Sequence, residues 1–142
     1  MARFSQDTKL SALARAPLFY GLSKKELAQL ARMTEDVEVE AGKVLCKEGK
    51  LGREFFVIVE GEADVRRRGR KIDTLGPGDF FGEIALVEKT HRTATVTAAT
   101  RLRFFVLTSQ SFWSLLDHAP EVERKVLRAL ARRVVASLET PA

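Results

Sequence analysis

One cysteine in 142 residues, Cys46, leaves no partner for an internal disulfide. Its surroundings, VLCKEG, read as a small core position rather than a reactive one. The apolar runs are only a few residues long, so no transmembrane helix is predicted, and MARFSQDTKL lacks the apolar stretch of a secretory signal. The two histidines, His91 and His118, lie far apart without metal-ligand spacing, so no metal site is expected. No G-x-S-x-G motif and no histidine–carboxylate arrangement is present, which argues against an enzyme. Together these absences leave a chain of ordinary globular composition, 45% hydrophobic and 30% charged, of a size that suits one domain over 1–142 in a reducing, cytoplasmic setting.

The chain divides into three parts. Over 9–34 the pattern is helical. Ser23 followed by Glu26 is a capping box, Leu22 and Leu27 form the staple across it, and Leu27, Leu30, Ala31 and Met33 give a helical stripe. Over 36–108 short runs rich in valine, threonine and phenylalanine alternate with glycine turns, which predicts an antiparallel sandwich or barrel. Over 109–139 helices return. Ser109 or Ser111 caps a short one, and Pro120 opens a longer one ending near Leu138. Its stripe of Val122, Val126, Leu127, Leu130, Ala131, Val134, Val135 and Leu138 can pack on the β unit, cover a ligand or pair with another chain, and packing is the first expectation. The fold class is therefore α+β, one compact β unit flanked by helices.

The net charge of +5 permits an anionic ligand or surface. Its densest cluster, Arg66-Arg67-Arg68-Gly69-Arg70-Lys71, reads as a solvated hairpin tip.

The β pattern breaks at FFGEIALVEKTHRTATV, Phe80 to Val96. After the turn Leu75 to Asp79, Phe80 and Phe81 read as core anchors, and small residues from Gly82 to Val87 fit one helical turn. The first N–H groups of such a turn lack partners, and a glycine there permits close approach, which makes an anion site. Arg92 can add a positive fork to the same anion. Glu83 would repel that anion unless the ligand also carries hydroxyl donors, as a ribose does. A nucleotide with a cyclic phosphate has both features. The competing reading is a simple surface pair of Glu83 and Arg92.

FGEIAL followed by RTATV resembles the phosphate-binding cassette of cyclic nucleotide-binding domains, and the likeness extends over the leading helices, the roll and the closing helices. The resemblance implies an antiparallel, jelly-roll-like β-roll flanked by helices, with a cassette over 80–94. It puts the ribose 2′-hydroxyl on Glu83 and the exocyclic phosphate oxygens on Arg92. It places the N–H groups of Ile84 and Ala85 at the phosphate beside Gly82, with Thr93 and Ala94 in the expected order. It further implies a C-terminal lid over the base, for which Leu127, Leu130, Ala131 and Val134 are apolar candidates and Arg132 or Arg133 can reach a purine edge. The implied ligand is cAMP, with cGMP as the alternative because Thr93 offers a hydroxyl. The implied role is a non-catalytic sensor without cofactor, acting through an effector or a homodimer formed by the last helix. No helix-turn-helix follows that helix, so nucleic-acid binding by this chain is not expected, nor is membrane insertion. The remaining alternatives are an interaction module of the same fold that binds no ligand, or the regulatory fragment of a larger transcription factor, kinase or channel.

Overall fold

The computed structural model describes residues 8–83 and 91–139. Helix α1, Lys9–Arg15, is capped by Thr8, and a 3-10 turn, Pro17–Phe19, follows. Helix α2, Lys24–Met33, begins with the reciprocal bonds of the Ser23–Glu26 capping box. Such a cap stabilises a helix start by about 1 kcal/mol. The strands are β1 (Glu35–Val39), β2 (Val44–Cys46), β3 (Glu54–Glu60), β4 (Ala63–Arg67), β5 (Arg70–Leu75), β6 (Phe80–Phe81), β7 (Thr95–Ala98) and β8 (Leu102–Thr108). Helices α3, Ser109–His118, and α4, Pro120–Glu139, close the described chain. The cap of α3 is Thr108, whose side chain accepts from the Ser111 N–H, rather than Ser109 or Ser111. The β8 ladder runs through Thr108, so the helix starts directly at the strand end.

Two four-stranded antiparallel sheets face each other, in the orders β1-β8-β3-β6 and β2-β7-β4-β5. Their construction follows from β3 and β8, whose side chains are apolar on both faces. Phe56, Ile58, Phe104 and Val106 point between the sheets, where they meet Cys46, Ala63, Leu75, Phe81, Val96 and Ala98. Phe55, Val57, Phe105 and Leu107 point the other way, onto Leu13, Phe19, Leu30, Phe112 and Val122 of the helices. Alternation with a period of two thus fills two cores from one pair of strands.

β6 divides in the same manner. Phe81 stacks on Phe56 at 4.6 Å between the sheets, and Phe80 lies 5.5 Å from Phe55 on the helical side. Two residues therefore fix the point where the chain leaves the sheet for the cassette.

The last helix differs from expectation. Val122 and Val126 are buried and Leu130 is half-buried, but Leu127, Val134, Val135 and Leu138 are exposed. Only the first half of the stripe packs on the body. Trp113 is half-buried beside the fully buried Phe112, and both histidines are exposed.

Candidate functional site

The site begins where β6 ends. Gly82 has φ 98°, and a Cβ there would stand 2.7 Å from the Glu54 carbonyl oxygen and 2.9 Å from Arg92 Nη1. The glycine is thus required by two close approaches within the protein: the backbone of β3 and the arginine side chain. The expectation from sequence was approach by a ligand.

Arg92 is 8% exposed. Its Nη1 donates to the Gly82 carbonyl at 3.0 Å and its Nη2 to the Glu54 carbonyl at 2.7 Å, with the guanidinium 5.7 Å from the Phe56 ring centre. Its backbone is held as well: the N–H donates to Lys50 O and the carbonyl accepts from Gly49 N. Among the described residues no carboxylate pairs with it. A guanidinium has five donors, and two carbonyls leave three for another acceptor. A buried cation bonded only to neutral oxygens lacks the counter-charge that offsets its desolvation. The arrangement has room for an anion supplied from outside.

Glu83 is fully buried and does not pair with Arg92. Its Oε1 faces Nη1 of Arg133 from α4, while Oε2 has no hydrogen-bond partner among the described residues. Arg133 also donates through Nη2 to the Phe80 carbonyl at 2.7 Å, with its guanidinium 5.8 Å from the Phe80 ring centre. Burial pulls the Arg133 guanidinium below its ordinary range, and the negative charges of Asp73 and Asp79 oppose that shift. It remains a cation at neutral pH. Among the described residues Arg92 is left without a facing carboxylate, which suits an anion. The free Oε2 suits a hydroxyl donor.

The surface-pair reading of Glu83 and Arg92 is therefore overturned: each is buried and each has different partners. Ile84 and Ala85 lie outside the described residues, as does the rest of the helical turn expected after Gly82; Glu83 itself has helical backbone. Thr93 is exposed, and its carbonyl accepts from Arg67 Nε at 3.2 Å. Ala94 is half-buried.

Of the proposed lid residues, Leu127, Ala131, Arg132 and Val134 are exposed and Leu130 is half-buried. Among the described residues Arg133 alone of these reaches the cassette, and it goes to the Glu83 carboxylate and the Phe80 backbone. A buried carboxylate attracts a guanidinium more strongly than an open cleft does. The sequence carried a signal for this. Arg133 follows Val126 and Leu130 at seven and three residues, which puts it on the inward face of the helix.

Helix α4 is also tied at its base, a contact not read from the sequence. Lys125 Nζ donates to the carbonyls of Pro17 at 2.8 Å, Tyr20 at 3.0 Å and Leu18 at 3.4 Å, which satisfies the open end of the 3-10 turn.

Cys46 is buried near the site and its thiol is pushed up to about 11, chiefly by burial; Glu54 adds to the rise and Arg92 opposes it. Such a thiol is unreactive at neutral pH. Among the described residues no group of three or more histidine, cysteine, aspartate or glutamate side chains is placed to hold a metal ion, and no helix is long and apolar enough to cross a membrane.

Comparison with known proteins places this arrangement. The family model described as "Cyclic nucleotide-binding domain" matches residues 36–119. The cAMP-dependent protein kinase regulatory subunit of Schizosaccharomyces pombe is 36% identical over 120 residues, which is 84% of this chain and 29% of that protein. A cyclic nucleotide-gated potassium channel of Rhizobium etli is 37% identical over 122 residues, 85% of this chain and 34% of that protein. The chain thus spans about a third of the length of these relatives. A solved structure described as cAMP-bound PfPKA-R superposes with a TM-score of 0.82 at 26% identity, covering 94% of this chain and 47% of that one.

Proposed function

This chain belongs to the cyclic nucleotide-binding domain family, and from that premise we propose that it is a non-catalytic sensor unit that binds cAMP at Arg92 and Glu83. The observation that carries the proposal is Arg92: a guanidinium 8% exposed, held by two carbonyls and lacking a carboxylate. The cyclic phosphate is the counter-charge it lacks. Glu83 Oε2 takes the ribose 2′-hydroxyl, and Gly82, Ile84, Ala85, Thr93 and Ala94 complete the cassette. No other cofactor takes part, and the setting is the cytoplasm.

The output is a change at α4. Arg133 joins that helix to the carboxylate that reads the ribose, so the ligand and the helix share one residue. A ligand shifts an equilibrium only by its differential affinity for two states, and sharing Glu83 supplies that difference. Within a longer protein the effector is a neighbouring domain. For this chain alone it is a second copy meeting the exposed face of α4.

Isothermal titration of the chain, unfolded and refolded to free it of carried ligand, tests the proposal. One-to-one binding is expected for cAMP, weaker for cGMP and weaker again for 2′-deoxy-cAMP. Arg92→Ala is expected to lose roughly 100-fold or more, the cost of opening a buried charge pair. Glu83→Gln should narrow the gap between cAMP and its 2′-deoxy form. Absence of heat with either nucleotide would leave a family fold acting as a ligand-free interaction module.

A further inference from the structure

The hairpin between β4 and β5 breaks two rules of hairpin construction, one of them twice. Its two-residue turn is Arg68-Gly69, with φ 54° and 77°. Arg68 is the sole residue other than glycine with positive φ among the described residues. Asparagine or aspartate is the favoured companion of glycine in such a turn, because a short polar side chain tolerates that backbone and an arginine does not. The register then sets Arg67 opposite Arg70 and Arg66 opposite Lys71. Like charges facing each other across a ladder destabilise it.

Little inside the protein offsets these features. Lys71 pairs with Asp64 at 3.2 Å, and Arg67 Nε goes to the Thr93 carbonyl. Among the described residues the side chains of Arg66, Arg68 and Arg70 have no ion-pair partner, and all three are exposed. A solvated turn has no need of an arginine in a left-handed conformation. Where local rules fail together and internal bonds hold only part of the cluster, the remaining gain is sought in a contact outside the chain.

The patch extends to a second loop. Glu48, between β2 and β3, accepts from the Arg68 N–H at 2.9 Å, which brings the exposed Lys47 and Lys50 beside the tip. Leu51 follows in the same loop and is 63% exposed. We propose that this two-loop face adsorbs to an anionic phospholipid surface. A cluster of four to eight basic residues is what such a surface attracts. One leucine among the cations can enter the headgroup boundary, a role with no counterpart against nucleic-acid phosphates. An acidic peptide is a poorer fit, because peptide interfaces rely on buried apolar anchors seated in pockets and the tip offers none.

The test is co-sedimentation of the full chain with vesicles of phosphatidylcholine, with and without phosphatidylserine, at low and at physiological salt. Binding is expected only with phosphatidylserine, and weaker at higher salt. Each basic residue near an anionic leaflet is worth about fivefold in binding. The double variant Arg68→Asn with Arg70→Thr should therefore bind roughly 25-fold more weakly. The same variant should melt higher than the parent, since it relieves both the turn and one facing pair. Equal binding by variant and parent would overturn the proposal. So would equal binding to neutral vesicles, no binding to either kind, or tighter binding to double-stranded DNA at equal phosphate concentration.

Discussion

At the scale of the residue, the core between the sheets and the site meet at Cys46. Its thiol is 6% exposed and holds its proton up to about pH 11, against a reference of 9.0. Below pH 9 both folded and unfolded chains carry the proton, and the contribution to stability is complete. Above it the unfolded chain alone ionises, so stability falls as pH rises toward 11. The loss is on the order of 2 kcal/mol. Urea midpoints across this range should decline less steeply for Cys46→Ala than for the parent; parallel curves would show that the thiol takes no part. Of the candidate site residues, Glu83 and Arg92 drew notice in the sequence because a carboxylate beside an arginine proposed for an anion demands explanation. That they avoid each other was not legible. Sequence neighbours do not disclose that Arg92 turns to the β3 backbone while Glu83 turns to a helix fifty residues on.

At the scale of the element, α4 has two halves with different supports. Val122 and Val126 bury the first half, and Lys125 ties it to the 3-10 turn. The second half meets the body through Arg133. Hydrogen bonds to charged groups contribute about 1.5–3 kcal/mol. Arg133→Ala should therefore speed amide exchange over residues 131–138 roughly tenfold or more, while residues 122–126 stay protected. Unchanged exchange in the distal half would mean that something other than Arg133 holds it. The strands were legible as short apolar runs with glycines marking the turns between; β3 and β8 are apolar on both faces and show as continuous runs. The packing of α4 was not. A helical period reveals that a face is apolar, but it is silent on whether the body, a ligand or another chain covers it. The start of α3 was misplaced for a similar reason: Thr108, Ser109 and Ser111 all make good caps, and only the end of the β8 ladder selects among them.

At the scale of the whole molecule, the exposed face of α4 is the feature that a lone chain leaves unfinished. Leu127, Ala131, Val134 and Leu138 recur at intervals of four, three and four residues, the spacing of a two-stranded seam. Sedimentation equilibrium should report a dimer for the parent and a monomer for Val134→Glu, with nucleotide affinity retained in both. A parent that stays monomeric at the highest attainable concentration would assign the face to a different protein. The attachment of α4 has a mechanical meaning too. Lys125, fixed on three carbonyls, is a pivot, and Arg133 sits roughly 12 Å along the arm at 1.5 Å per residue. Glu139 lies roughly 21 Å along it. A displacement of the cassette that pushes on Arg133 is thus magnified almost twofold at the helix end, so a shift smaller than a bond length at Glu83 becomes a stroke large enough to break or make a side-chain contact.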